Sequence, residues 1–227
     1  MLGKKCIGII GGTGPAGLGM ALRLGVSGHE VVVGSRDEKR GADCVKNLKE
    51  GNLDQNIAIS GSDNAEASKC ETVIVATPWD ATIETLKPLK ANLEGKKVVS
   101  MVNALMKTLG ELEPLIPGRG SMALEIQRVL PKSLVIGAFH HLPAANLNDL
   151  AHELSEDVAV FGDNKEAVLD TANIVNSISG LRAIYVGSLS QGLAVESFTA
   201  VLVSASIKNK GHVSIKFTGL DSIGSNL

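Results

Sequence analysis

The sequence predicts an α/β fold in which a doubly wound parallel sheet is covered by helices on both faces. Short apolar runs alternate along the chain with longer segments whose apolar residues recur at helical spacing. The runs are continuously apolar, as in "TVIVA" at residues 72–76, and such strands are typical of sheets buried on both faces. The helical segments between the runs provide the crossover connections that parallel strands need.

The elements follow in the order of the chain. In its first two thirds the predicted strands are 6–10, 30–33, 56–60, 72–76, 97–101 and 134–139. The helices predicted between them are 16–26, 37–50, 64–69, 81–89 and 121–129. Residues 103–119 fit neither period and are predicted to form a long loop on the active side of the sheet.

The pattern changes near residue 150. The elements predicted after it are strands 158–161 and 181–186 and helices 165–179 and 194–205, followed by the tail "GHVSIKF". We therefore predict a first domain of residues 1–150 and a smaller α+β domain of residues 151–227. The helix at 194–205 is apolar on more than one face, so it is expected to be buried on several sides. It forms either the core of the small domain or a homodimer contact, and we favour a homodimer.

Composition excludes several classes of partner. The formal net charge of −2 and the absence of a polybasic run indicate neither nucleic acid nor a membrane surface. No apolar stretch is expected to approach the roughly 20 residues that span a bilayer. The three cysteines form no C-x-x-C pair and are expected to be reduced thiols in a cytoplasmic protein. No spacing of ligand-type residues predicts a metal site.

Residues 12–17, Gly-Thr-Gly-Pro-Ala-Gly, fit G-x-G-x-x-G between a predicted strand and a predicted helix. In this pattern Gly12 allows the tight turn, Gly14 lets the backbone approach a pyrophosphate, and Gly17 lets the helix pack on the strand. Pro15 suits a first helical turn, whose free N–H groups attract an anion. The pattern predicts a Rossmann-type site for a dinucleotide; a plain glycine-rich turn without ligand is the alternative.

The second strand is followed by Ser35 and Arg36, where an acidic residue usually holds the ribose of NAD(H). A serine can donate a hydrogen bond and an arginine offers a planar fork to phosphate oxygens. Arg40 shares a face with Arg36 if the chain is helical there. We therefore predict NADP(H) as the cofactor; the alternative is that both arginines are ordinary surface charges.

Five motifs, in order over nearly the whole chain, resemble those of the NADPH-dependent reductases of coenzyme F420, a 5-deazaflavin. They are "GGTGPAGLGMALRLGVSGHEVVVGSR", "ATPWD", "FHHLPAANL", "GSLSQGLAVESFTAVL" and "SIKF". The resemblance implies reversible hydride transfer between the nicotinamide C4 and the deazaflavin C5. It also implies that the first domain binds NADP(H) and that the smaller domain completes the deazaflavin pocket.

The resemblance also implies roles for single residues. Those matching the pyrophosphate site are Thr13, Gly14, Pro15 and Ala16, and those matching the 2′-phosphate site are Ser35, Arg36 and Arg40. Those matching the nicotinamide site are Thr77, Asn103, Leu105 and Ala144, with Val213 near the two stacked rings. The segment 105–120 departs from the family's pattern.

Three further side chains have two interpretations each. His140 either orients one of the two rings, without acting as an acid or base, or has no role in the site. In the second case one of the two adjacent histidines caps the loop and the other is exposed. Trp79 packs either beside the nicotinamide or in the core, and for Glu196 we favour a structural role.

Two other functions stay open. One is an NADPH-dependent reductase of another acceptor, such as a flavin, a ferric chelate or an imine. The other is an NADP-sensing module without turnover, which would need no second pocket.

Overall fold

The computed structural model describes residues 5–52, 57–109 and 111–220, with no side chains described at 51 and 52. Its strands are β1 (Cys6–Ile10), β2 (Glu30–Ser35), β3 (Ile59–Asp63), β4 (Thr72–Val75), β5 (Lys97–Ser100), β6 (Leu105–Thr108), β7 (Glu111–Pro114), β8 (Leu134–Gly137), β9 (Asp157–Gly162) and β10 (Arg182–Gly187). Its α-helices are α1 (Pro15–Val26), α2 (Glu38–Asn52), α3 (Asn64–Ala67), α4 (Trp79–Leu86), α5 (Lys90–Leu93), α6 (Met122–Val129), α7 (Ala144–Asn148), α8 (Lys165–Ser177) and α9 (Gly192–Asn209).

Eight of these strands form one sheet in the order β10-β9-β8-β5-β4-β1-β2-β3. The six strands from β8 to β3 in this order are mutually parallel, whereas β9 is antiparallel to β8 and parallel to β10. The chain starts at β1, runs outward to β3, and returns to β4 on the other side of β1. This reversal of strand order leaves a crevice at the carboxyl ends of β1 and β4, where ligands bind in open α/β sheets. The predicted Rossmann-type α/β fold is confirmed.

The core lies on both faces of this sheet, as the continuously apolar strands predict. Ile7 and Ile9 are fully buried with α1 and α8 on one face, whereas Ile10 and Val73 are fully buried with α4 and α6 on the other. Burying a side chain of this size contributes about 1.5–3 kcal/mol to the free energy of folding. The central strands therefore form a rigid base for the loops at their carboxyl ends.

The segment predicted as a long loop, 103–119, contains a two-stranded antiparallel hairpin of β6 and β7. The prediction failed because both strands are mostly exposed and lack the apolar alternation that marks a strand. The hairpin packs against α9, and Lys208 pairs with Glu111 at 2.7 Å between Nζ and Oε1. A two-stranded hairpin needs such packing to be stable.

Residues beyond 150 continue the main sheet, because β9 and β10 pair with each other and β9 pairs with β8. The division at residue 150 stays a prediction. The predicted third strand, 56–60, begins at a residue outside those described, and β3 covers Ile59–Asp63.

The cysteines differ from the expectation of three reduced thiols. Cys6 and Cys70 form a disulfide, with Cα atoms 5.3 Å apart, and Cys44 is free. The two paired cysteines are 64 positions apart in sequence, so no spacing motif indicates them. They meet because β1 and β4 are neighbours, with Ile7 in register with Thr72.

The apolar helix near the C-terminus is longer than predicted. Residues 189–209 are long and apolar enough to cross a membrane by length and composition, so the expectation of no such stretch is wrong here. Only 28% of its most apolar part is buried. Exposed apolar side chains on α9 include Leu193, Phe198, Val201 and Ile207. A core helix meets the same two criteria, so they do not by themselves indicate a membrane.

Candidate functional site

A cleft of about 600 Å³ opens at the carboxyl ends of β1, β2 and β4. It brings together eight of the predicted cofactor residues: Thr13, Gly14, Pro15, Ala16, Ser35, Arg36, Arg40 and Thr77. A second hollow, of about 510 Å³, shares Ser35 and Arg36 with it and extends along α4. The predicted dinucleotide residues therefore line one continuous surface at the switch point of the sheet.

The glycine turn leaves the start of α1 open to this cleft. Gly14 is the N-cap of α1 and Pro15 its first residue, and no side chain caps the helix. A Cβ placed on Gly14 would meet nothing within 4 Å, whereas one on Gly17 would lie 2.6 Å from Gly12 Cα. The free N–H groups and the empty space at Gly14 fit a pyrophosphate. The turn's positive φ, 69°, occurs at Gly11, one residue before the predicted Gly12.

At the far end of the cleft, Ser35 is buried and the Arg36 and Arg40 side chains are exposed. The neighbouring acidic residue, Asp37, turns away because its Oδ1 accepts the backbone N–H of Arg40 at 2.8 Å. Asp37 thus caps the start of α2. Two guanidinium groups and a serine hydroxyl remain to face the cleft, an arrangement that suits a phosphate.

Thr77 lies at the other end, after β4, and is buried. Its Oγ1 is 2.8 Å from Thr82 Oγ1, and that hydroxyl donates to Pro78 O at 2.9 Å. These bonds fix the turn into α4. Trp79 begins this helix and is 37% exposed, so the predicted core packing is wrong. It lines neither hollow, and its position beside the nicotinamide stays a prediction.

A smaller cavity, of about 200 Å³, lies between the loop after β8 and α9. It brings together the predicted residues His140, Ala144 and Val213. Asn103 lies behind this cavity, where its Nδ2 donates to His140 O at 3.1 Å. Leu105 lines neither this cavity nor the larger cleft, because it belongs to the hairpin.

Asn148 joins the walls of the cleft and the cavity. Its Nδ2 donates to Pro15 O at 2.8 Å and to Ala144 O at 2.6 Å, which ties the first residue of α1 to the first residue of α7. Arg23 reinforces this junction by donating to four backbone carbonyls in the segment after Ala145. Arg23 and Asn148 each join segments that are more than 120 positions apart in the sequence, so no local sequence signal reveals their role.

His140 is 5% exposed, and its ring stacks on that of Phe161 with centroids 5.4 Å apart. Neither ring nitrogen has a hydrogen-bond partner among the described residues. Burial, with the charge of the neighbouring His141, lowers the pKa of His140 to about 3. The ring is therefore neutral near pH 7, with one donor and one acceptor nitrogen, which agrees with orientation rather than proton transfer.

His141 is also buried, so the interpretation in which one of the two histidines is exposed is wrong. Its Nε2 lies 2.7 Å from Val195 O, which accepts the bond. Burial lowers the pKa of His141. This ring therefore ties the loop to α9.

Glu196 has the structural role that the sequence favoured. Its carboxylate accepts the backbone N–H groups of Met122 at 2.7 Å and Ala123 at 3.0 Å, at the start of α6. Burial raises the pKa of Glu196 to about 7. Among the residues the structure describes, no group of three or more His, Cys, Asp or Glu side chains could hold a metal ion.

Comparisons with known proteins agree with the geometry of this site. A family model described as "NADP oxidoreductase coenzyme F420-dependent" matches residues 6–104. The F420-dependent NADP reductase of Methanocaldococcus jannaschii is 35% identical over 221 residues, which cover 95% of this chain and 99% of that protein. The F420-dependent NADP reductase of Methanothermobacter marburgensis is 30% identical over 220 residues, which cover 94% of this chain and 98% of that protein.

One solved structure extends the comparison to the fold. It belongs to an Arthrobacter sp. FB24 protein provisionally described as an F420-dependent NADP reductase. The match has a TM-score of 0.79 and 24% identity, and it covers 95% of this chain and all of the other. At this identity the likeness concerns the fold alone.

Proposed function

The chain belongs to the family of F420-dependent NADP reductases, and we propose that its cleft and its smaller cavity hold the two partners of a hydride transfer. It is an oxidoreductase that uses NADP(H) and coenzyme F420. The observation that carries the proposal is the joint lining of one cleft by the open start of α1 and by Ser35, Arg36 and Arg40. That cleft matches a dinucleotide with an additional phosphate on its ribose.

At the phosphate end, the residues act by binding. The backbone around Thr13, Gly14, Pro15 and Ala16 holds the pyrophosphate, with Gly12 as part of the turn. Ser35, Arg36 and Arg40 hold the 2′-phosphate through charge-assisted hydrogen bonds. These contacts fix the position of the cofactor along the cleft.

At the redox end, the residues act by orientation and by excluding water. Bound NADPH supplies the hydride when F420 is reduced, and the reaction is reversible. Thr77 and Ala144 line the nicotinamide, Asn103 supports this side of the site through its bond to His140 O, and Val213 lies near the stacked rings. A nicotinamide contact of Leu105 stays a prediction, because Leu105 lines neither hollow. His140, which lines the smaller cavity, positions one of the rings by packing and stays neutral. Two cofactors held face to face need mainly proximity and orientation, and no metal is required.

The residues beyond 150 complete the deazaflavin side of the site in this proposal. Support comes from α9 and the tail, since Leu202, Val203 and Val213 line the smaller cavity. The homodimer in this proposal is supported by exposed apolar residues on α9, among them Phe198, Val201 and Ile207. A cytoplasmic location without nucleic acid or membrane partners is part of the same proposal, and the net charge of −2 supports the exclusion of nucleic acid.

The function is tested by mixing the protein with NADPH and oxidised F420 and following the deazaflavin absorbance. We expect the absorbance to decline with F420, and no comparable turnover with FMN. Turnover of FMN alone would indicate a flavin reductase instead. Tight NADPH binding without turnover of any acceptor, including ferric chelates and imines, would indicate an NADP sensor.

A further inference from the structure

We propose that Asn64 is a specificity-determining residue of the cofactor site, whose side-chain amide donates a hydrogen bond to the phosphorylated ribose of NADP(H). The inference rests on the proposed function, because it assumes that the cleft holds this dinucleotide. It adds a residue that no motif indicates, on a strand–helix junction distant from both the glycine turn and the arginines in sequence.

The orientation of the Asn64 amide is fixed by the glycine turn. Asn64 is the first residue of α3 and is 9% exposed. Its Oδ1 accepts the backbone N–H of Gly11 at 3.0 Å. Because an N–H group can bond only to an acceptor, the oxygen must face Gly11 and the Nδ2 must point elsewhere.

The Nδ2 group has no hydrogen-bond partner among the described residues, although the side chain is more than nine-tenths buried. Some unpaired side-chain atoms, such as the ring nitrogens of His140, have almost no contact with solvent. Asn64 Nδ2 is not one of them, so this nitrogen is reachable from the cleft. Asn64 lines both the main cleft and the hollow that extends from it. The amide nitrogen is therefore a donor available to a ligand in the cleft.

The location of Asn64 points to the ribose. The side chain contacts the pyrophosphate turn through Gly11, and it packs against the end of β2, where a Cβ on Gly34 would lie 2.8 Å from Asn64 Oδ1. Ser35 follows immediately. The adenosine ribose is the group that links a pyrophosphate to a 2′-phosphate, so a donor between these two sites meets the ribose or its phosphate oxygens.

The chemistry of this donor favours the phosphorylated cofactor. An amide N–H can donate to an oxygen of the 2′-phosphate or of the ribose, whereas a carboxylate at the same place would repel the phosphate. Three carboxylates, Asp63, Asp80 and Glu84, already line the two hollows, and Asp63 Oδ1 caps α3 by accepting Glu66 N–H at 2.7 Å. The neutral amide of Asn64 adds a donor without a further negative charge. Asn64 would thus add a neutral donor to the charge of Arg36, with which it lines both hollows.

The Asn64→Asp variant tests this proposal with almost no change in shape. Asp keeps an acceptor for the Gly11 N–H, removes the donor and adds a negative charge. We expect the dissociation constant of NADP⁺, measured by calorimetry without F420, to rise about 10- to 100-fold, since a hydrogen bond to a charged group is lost. The dissociation constant of NAD⁺ is expected to change less than about threefold.

Two matched variants separate the possible outcomes. Asn92→Asp adds the same charge on exposed α5, outside the cleft, and should leave both constants unchanged. Arg36→Ala should lower the preference for NADP⁺ whether or not Asn64 contributes. If Asn64→Asp weakens both cofactors equally, or neither, while Arg36→Ala removes the preference, the inference is wrong and the proposed function stands. If Arg36→Ala also leaves the preference intact, the 2′-phosphate assignment itself fails.

A second substitution covers the case in which the Asp variant does not fold. Asn64→Ser retains an oxygen acceptor without adding charge, and thermal unfolding shows whether the fold is kept. We expect a smaller loss of NADP⁺ preference than with Asp. A folded Ser variant with wild-type preference for NADP⁺ would contradict the inference.

Discussion

The two ends of the site are built in opposite ways. The phosphate end joins the uncapped start of α1 to two exposed guanidinium groups, and most of its predicted residues come from two short stretches, 13–16 and 35–40. The histidine end is smaller, has two buried histidines, and is lined by the loop after β8, by α9 and by the tail. In the proposed function the first end holds a charged group by direct contact, and the second holds rings by shape. Most of the proposed phosphate contacts are therefore encoded locally, whereas Asn64 and the orientation of the rings depend on the assembled fold.

The largest expected effect is at the open start of α1. Gly14→Val places side-chain carbons in the space where the pyrophosphate lies, and such overpacking costs up to about 3 kcal/mol, or about 100-fold in the NADP⁺ dissociation constant. Because a Cβ at Gly14 meets no protein atom, thermal stability should be unchanged.

Gly211→Val is the matched control, since a Cβ there also meets nothing within 4 Å but lies outside the cleft. It should alter neither stability nor NADP⁺ binding, measured by thermal unfolding and calorimetry. Unimpaired NADP⁺ binding by Gly14→Val would mean that the pyrophosphate lies elsewhere and would break the contrast between the two ends.

The next effect is at the arginines. Arg36→Ala removes a charge-assisted hydrogen bond worth about 1.5–3 kcal/mol, so NADP⁺ binding should weaken about 10- to 100-fold while NAD⁺ binding changes little. Calorimetric titration of both cofactors gives the ratio. Arg36 is exposed, so its contact with the phosphate should weaken as the salt concentration rises. In Arg36→Ala the affinity for NADP⁺ should therefore depend less on salt than in the wild type. If the affinities for NADP⁺ and NAD⁺ fall equally, the 2′-phosphate does not bind at Arg36.

The smallest effect, taken per pH unit, concerns the stability contributed by the buried histidine. The pKa of His140 is about 3 in the fold and near 6.5 when unfolded, so the unfolded state binds more protons between these values. Stability should therefore fall as the pH falls from about 6.5 towards 3, with at most about 1.4 kcal/mol per pH unit from this group. His140→Phe should make the fall less steep in chemical denaturation at several pH values.

His152→Phe is the control for this measurement, because His152 is exposed. It should retain the wild-type dependence of stability on pH. If His140→Phe and the wild type show the same slope, the His140 ring is not held neutral by burial, and the redox end is less dry than the structure indicates.

Much of the phosphate end was predictable because its signals are local. The glycine pattern, the strand before it and the arginines after β2 lie within one strand–helix–strand unit, and the structure places them around one cleft. The apolar periods likewise predicted the main strands within a few residues. Both predictions depend on neighbours along the chain, which a sequence shows directly.

The rest depends on contacts between distant segments. The disulfide between Cys6 and Cys70, the bridge from Asn148 to Pro15 and the bond from Asn64 to Gly11 all arise from the packing of the sheet. The exposed β6–β7 hairpin carries no apolar alternation and was missed for that reason. His140 was found only as a candidate, because its burial against Phe161 has no sequence signal.

The central claim, direct hydride transfer between the two ring systems, is tested most directly with NADPH carrying deuterium at both C4 positions. After a single turnover with oxidised F420, we expect the reduced deazaflavin to contain one deuterium at C5, whichever face of the nicotinamide reacts. Reduced F420 without deuterium at C5, or no reduced F420 at all, would contradict direct hydride transfer.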